Sequence, residues 1–155
     1  MKKNITLKEL ADALHAVKIK QHPTMPVHAV PRKTFSDRSA NKFTTAIVTY
    51  LQEYLGYLAY RQSTEGRYRP GNVVIDVIGR ARVMKGTFIP AAKKGLGDVT
   101  AVLKGGKYVS IEVKIGRDRQ RDDQKKFETQ LNRAGGAYIL VHDWPEFLAK
   151  IKAFI

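Results

Sequence analysis

Two alternating segments separated by a glycine pair constrain this chain most. Asp98-Val-Thr-Ala-Val-Leu103 and Tyr108-Val-Ser-Ile-Glu-Val-Lys-Ile115 flank Gly105-Gly106, and both place apolar side chains at odd positions. A period of two on either side of a glycine turn predicts a β-hairpin. Val99, Ala101 and Leu103 share a core with Val109, Ile111, Val113 and Ile115 only if odd residues pair with odd residues. That register needs an odd number of loop residues, or a bulge, around the glycines. It also gathers Asp98, Glu112 and Lys114 on the opposite face, whatever the chain does.

The flanking sequence supplies helices and one more strand. Leu7, Leu10, Ala11, Leu14 and Val17 recur at helical spacing over 6–18, with Thr6 and Glu9 in capping-box positions. Pro23, Pro26 and Pro31 break any helix, so 21–38 is expected as an extended basic linker or arm, read here as a disordered leader. A wide apolar stripe (Phe43, Ile47, Tyr50, Leu51, Tyr54, Leu55, Leu58) predicts a helix over 41–58, capped by Ser39 or Asn41. A short strand at 60–62 and a turn at 63–66 follow. Residues 67–97 read as irregular apart from one strand candidate, the β-branched run 73–78. A helix is predicted over 118–134, with Gly135-Gly136 as its C-cap. Ala137–Val141 is a short buried strand. A last helix runs from Trp144 to Phe154, with Asp143 as N-cap and Pro145 in its first turn. The chain is therefore expected to be of α/β class, a mixed sheet with helices, divided into residues 1–40, an N-terminal helix with a Pro-rich basic linker, and a domain over 41–155.

Composition narrows the partners. The 155 residues contain 28 Lys+Arg against 14 Asp+Glu, a net charge of +14, and no cysteine. Such an excess attracts polyanions, of which nucleic acid is the commonest. Disulfides, thiolate zinc sites and cysteine nucleophiles are excluded. No apolar run is long enough for a membrane span, and charged residues interrupt the N-terminus throughout, so no secretory signal and no membrane partner are expected. A cytoplasmic setting is the expectation.

Two carboxylates brought together repel unless neutralised, and Mg²⁺ or Mn²⁺ suits carboxylate oxygen. Such an ion polarises a phosphodiester and lowers the pKa of bound water. A lysine two residues from Glu112 lies on the same strand face, where it suits the attacking water or the developing phosphorane charge. The plainer reading of the same residues is a solvated polar face with a Glu–Lys pair.

Gly97-Asp98 followed by Ile111-Glu112-Val113-Lys114 resembles the G-D…(D/E)-x-K signature of the PD-(D/E)XK nucleases. The continuation, Lys114-Ile-Gly-Arg-Asp-Arg-Gln-Arg-Asp-Asp-Gln124 and then Gly135-Gly136-Ala-Tyr-Ile-Leu-Val, is similar to the VRR-NUC branch, short members of which occur in phages and their hosts. The resemblance spans about residues 41–148. It implies a restriction-endonuclease-like core, a central mixed sheet flanked by helices. It implies Mg²⁺ or Mn²⁺ held by Asp98, Glu112 and the Val113 carbonyl, with Lys114 as catalytic lysine and Gln124 as the helix glutamine of the site. It implies DNA as substrate, branched DNA in particular, and a homodimer. Gln124 shares a helical face with Phe127 and Leu131, which aims it inward.

The sequence departs from the family at one point. Where members usually carry a glutamate early in the first helix, Ala40, Asn41 or Lys42 stands here. Two roles fit Asn41, an oxygen donor to the metal or its water shell and an N-cap. Glu53 is a substitute acid about three turns further on. Arg117, Arg119, Arg121, Lys125 and Lys126 flank the site as candidate phosphate contacts, with Arg61, Arg67 and Arg69 adding to the same surface. The alternative for the arginines is a surface paired with Asp118, Asp122 and Asp123. The histidines at 15, 22, 28 and 142 show no metal-ligand spacing, and Trp144 reads as a core anchor. The function expected is a metal-dependent DNA endonuclease; the rival is a nuclease-derived DNA-binding module that no longer cuts.

Overall fold

The computed structural model describes residues 4–62, 66–89 and 94–155. Helix α1 covers Leu7–Gln21; Thr6 Oγ1 accepts from the Glu9 N–H and Glu9 reaches back to the Thr6 N–H, the expected capping box. Its inner face is Leu10, Ala11 and Leu14, whereas Val17 stands exposed. The following stretch is not a disordered leader. It makes a single 3₁₀ turn at Val27–Ala29 and lies against the domain: His15 meets the Val30 carbonyl at 3.1 Å and Asp37 accepts from the Trp144 N–H at 3.2 Å.

Helix α2, Ala40–Thr49, is capped by Ser39 and continues as one π-helical turn, Tyr50–Tyr54. The helix thus ends short of Leu58. Gly56, at φ +78°, reverses the chain, and strand β1, Leu58–Arg61, starts there with Leu58 exposed. The apolar stripe carried the expectation too far because Leu58 falls on the helical period by coincidence.

The span expected to be irregular holds two antiparallel ribbons. Strand β2, Arg67–Arg69, pairs with β5, Thr87–Ile89, and between them β3, Val73–Ile75, pairs with β4, Ala81–Val83. The β-branched run is a strand only to Ile75, because residues 76–80 make the turn. Of the turn expected at 63–66, residues 63–65 lie outside the described residues.

Strands β6, Val99–Val102, and β7, Tyr108–Val113, form the expected hairpin, with Val99 opposite Ile111 and Val102 opposite Tyr108. Residues 103–107, an odd number, close it. Helix α3, Asp122–Arg133, then crosses to β8, Ala137–Val141, which pairs parallel with β7. Helix α3 begins later than expected, since residues 115–121 are loop with Gly116 at φ +64°; it ends as expected, at Gly135 with φ +84°. Helix α4, Trp144–Ile151, has Asp143 as N-cap and finishes in a 3₁₀ turn at Lys152–Phe154.

The main sheet runs β1-β6-β7-β8, antiparallel except for the last pair, so the protein is a mixed α/β fold with a mixed sheet. Odd residues of β6, β7 and β8 enter one core with Leu10, Phe43, Ile47, Trp144 and Phe147 from α1, α2 and α4. Trp144 anchors that core edge-on to Tyr50 and donates Nε1–H to the Ile5 carbonyl at 2.7 Å. Residues 1–40 therefore contribute Ile5, Leu10 and Leu14 to the same core as the rest. Among the described residues no helix is long and apolar enough to cross a membrane.

Candidate active site

The even face of the sheet carries the polar groups, and it is not solvated. Thr100, Ser110, Glu112 and Lys114 are all buried. The register of β6 and β7 continues one step outward to set Asp98 opposite Glu112. Gly97 is what lets the chain approach there. A Cβ at that position would lie 2.7 Å from the Ile111 carbonyl oxygen and from Ser110 Oγ, so only glycine fits. The Gly97 N–H donates to Ser110 Oγ at 3.2 Å, and Asp98 Oδ2 accepts from the Val113 N–H at 2.9 Å. These two bonds hold the start of β6 against the end of β7 and tie the Asp98 carboxylate to the Val113 backbone.

Glu112 is the hub. Its Oε1 accepts from Gln124 Nε2 at 2.6 Å and meets Lys114 Nζ at 2.9 Å; its Oε2 accepts from the Tyr138 hydroxyl at 3.3 Å. Lys114 Nζ also meets Asp118 Oδ2 at 3.0 Å. Gln124 is held at both ends, since its Oε1 accepts from the Arg121 N–H at 2.9 Å, which also closes the first turn of α3. Burial pushes the Glu112 carboxyl above its ordinary range and the Asp98 charge adds to that, while hydrogen bonds from Lys114 and Gln124 offset part of it. Burial opposes the Lys114 charge, but its contacts with Glu112 and Asp118 outweigh it and raise its pKa, so it stays an ammonium. The Lys114 bond in turn holds Asp118 below the usual carboxylate range. Tyr138 is pushed up by burial and by the Glu112 charge, which keeps it a neutral donor.

Two carboxylates, Glu112 and Asp118, thus pair with one ammonium, and with Asp98 opposite Glu112 the cluster is a local negative excess in a strongly basic chain. Among the described residues no group of three or more His, Asp or Glu side chains is arranged to hold a metal. The donor set suited to a hard dication is the facing pair Asp98 and Glu112, with the Val113 backbone between them on the same edge. The fit is to one ion held by two side-chain acids, with the rest of its shell from carbonyl or water.

Asn41 sits in the first turn of α2, where its Oδ1 accepts from the Arg61 guanidinium at the end of β1. Ser39, not Asn41, caps the helix. Glu53 pairs with Lys33 at the surface instead of standing in as an acid of the site. Arg117, Arg119 and Arg121 are exposed on the loop between β7 and α3, and Lys125 and Lys126 are exposed on α3. Lys125 meets Asp122 at 3.3 Å, a solvent-exposed pair. Arg67 lies in β2, apart from the main sheet.

Sequence reasoning missed two members of the cluster. The charge pattern groups Asp118 with the surface arginines, but its partner is Lys114. Tyr138 reads in the sequence only as part of a buried strand. Its signal was parity: with Ala137, Ile139 and Val141 facing the core, Tyr138 must face the other way, and the parallel register sets it beside Ser110 on the Glu112 face.

Neither a protein-family model nor a curated protein matches the chain.

Proposed function

We propose that the protein is a metal-dependent nuclease of the PD-(D/E)XK kind, hydrolysing phosphodiester bonds in DNA. The observation that carries this reading is the register of β6 and β7, which sets Asp98 opposite Glu112, with Lys114 on Glu112 at 2.9 Å. A bound Mg²⁺ or Mn²⁺ supplies Lewis acidity to the phosphate and acidifies a water. Asp98 and Glu112 are the residues that would hold it. Lys114, kept charged by its two carboxylates, is placed to orient the attacking water and to steady the charge that develops on the phosphate. Gln124 and Tyr138 fix the orientation of Glu112 through one oxygen each. Arg117, Arg119 and Arg121, with Lys126, take the flanking phosphates; these contacts position the strand without reading sequence. The chain charge of +14 supports a polyanionic substrate. Branched duplexes are the DNA form that the resemblance singles out.

The test is incubation with duplex, single-stranded, flap and four-way-junction DNA, with Mg²⁺, Mn²⁺ or EDTA. Cleavage that needs the metal and is lost in Lys114→Ala and Glu112→Gln is expected. Activity surviving Glu112→Gln sinks the assignment.

A second reading, binding without cleavage, is favoured by one observation. Where the family carries a helix acid stands Ala40, Asn41 or Lys42, none of them acidic, and Asn41 is engaged with Arg61. Tight DNA binding by the wild type, with no cleavage under any metal and no change in Asp98→Asn, selects it.

A further inference from the structure

The ribbon between Tyr68 and Ile89 contributes no side chain to the Asp98–Glu112–Lys114 cluster. A two-stranded ribbon is marginal in water without something packed on it. Here Val73 pairs with Val83 and Ile75 with Ala81 on one face, while Val74 and Arg82 occupy the other. Val73, Ile75 and Val83 are 62%, 69% and 78% exposed. The tip is built with care. Asp76 N–H donates to the Arg80 carbonyl at 3.0 Å, Gly79 N–H returns to the Asp76 carbonyl at 3.0 Å, and Gly79 sits at φ +79°. Asp76 Oδ1 accepts from the N–H groups of Ile78 and Arg80, at 3.0 and 2.8 Å. The turn thus turns its own acid inward and presents Val77 and Ile78 outward, at 104% and 70% exposure.

Charge decides between occupants. Arg69, Arg80, Arg82 and Lys85 are exposed on this ribbon, and Asp76 is its lone acid. A second copy of the chain would bring like charges against like on a protein already at +14. A nucleic-acid duplex complements all of it: phosphates for the cations, deoxyribose and thymine methyls for the apolar face, and a base step for the apolar tip. A ribbon of these dimensions enters a groove of B-DNA.

We propose that the ribbon over 68–89 is a DNA-gripping arm. Its cations straddle a groove of the duplex flanking the cleavage site, and Val77 and Ile78 wedge at a base step and unstack it. The proposal rests on the nucleic-acid partner of the proposed function but not on cleavage.

The test uses the full chain with Glu112→Gln, so that DNA stays intact. Binding to a fluorescein-labelled duplex is followed across a salt series, and 2-aminopurine placed along the duplex reports unstacking. Arg80→Ala/Arg82→Ala is expected to lower the salt slope by about 2, from about 0.9 per lost phosphate contact. Val77→Ser/Ile78→Ser is expected to abolish the 2-aminopurine signal while leaving the salt slope in place. Circular dichroism melts of these exposed variants should match their parent. Equal binding and unstacking by all ribbon variants overturns the proposal. So does a sedimentation shift from dimer to monomer in Val77→Ser/Ile78→Ser with DNA binding unchanged, which makes the ribbon a surface between copies. If the wild type cleaves DNA normally and the ribbon variants do too, with unaltered binding, the arm alone falls. If no duplex is bound at all, the arm and the DNA reading of the site fall together.

Discussion

Replacing Lys114 by methionine tests whether the buried Glu112–Lys114 pair is the electrostatic centre of the site. Both side chains are nearly inaccessible, Lys114 at 3% and Glu112 at 5%, and Nζ lies 2.9 Å from Oε1. Removing one member of a buried pair typically costs 3–5 kcal/mol, because the other charge stays buried without its counter-ion. Glu112 retains Gln124 and Tyr138 as donors, so the low end, about 3 kcal/mol, is expected. Glu112→Gln costs less, about 1–2 kcal/mol, because Lys114 keeps Asp118, which is itself 54% exposed. The double variant Glu112→Gln/Lys114→Met leaves a neutral pair of similar volume and costs about 0–1 kcal/mol. Urea denaturation in EDTA at neutral pH should therefore show a non-additivity of about 4 kcal/mol. The pH dependence has a defined sign. The folded-state pKa of Glu112 already lies above its ordinary value of 4.5, and loss of Lys114 raises it further. A carboxyl raised on folding contributes stability that is full below the unfolded value and lost as pH rises through the folded one. The Lys114→Met penalty should hence shrink as pH falls toward the ordinary carboxylate value and be complete above the raised one. Additive single costs, or a penalty that grows on acidification, would refute the reasoning.

Gly97→Ala should cost about 2–4 kcal/mol, from an overpacked contact with the β7 backbone and loss of the bond to Ser110. It should also weaken metal binding by displacing Asp98; an unchanged melting temperature argues against the close approach. Tyr138→Phe removes one donor from Glu112 and should destabilise by about 1 kcal/mol. Its pH–rate profile should shift while KM for DNA stays unchanged, and a shifted KM with the old profile contradicts a role in orienting Glu112. Mg²⁺ at about a hundred times its Kd should stabilise the wild type by about 2.7 kcal/mol in a thermal melt. The same Mg²⁺ should stabilise Asp98→Asn/Glu112→Gln by nothing measurable; equal stabilisation of both places the ion elsewhere.

What could be read locally was determined by the sequence itself. Alternation over 98–103 and 108–115 dictated the parity of the hairpin, and parity alone put Asp98 and Glu112 on one face, because strand side chains repeat every two residues wherever the strand lies. The caps of α1 and α4 and the glycine after α3 were equally legible, since each is settled within about four residues of chain. Tertiary structure decided the rest. Tyr138 reaches Glu112 only through the parallel pairing of β8 with β7, a register set by the packing of α3 and carrying no local signal. Asp118 finds Lys114 because Gly116 bends the loop before α3 starts, where the charge pattern alone paired it with arginines. Leu58 continued the helical stripe on paper, yet Gly56 turned the chain into β1. Of the ribbon over 68–89 only β3 was announced, by its β-branched run; the other short strands carry no buried face, so no hydrophobic period marks them. Local periodicity reports which side of an element faces a core, whereas the partner across that core is chosen by contacts distant in sequence.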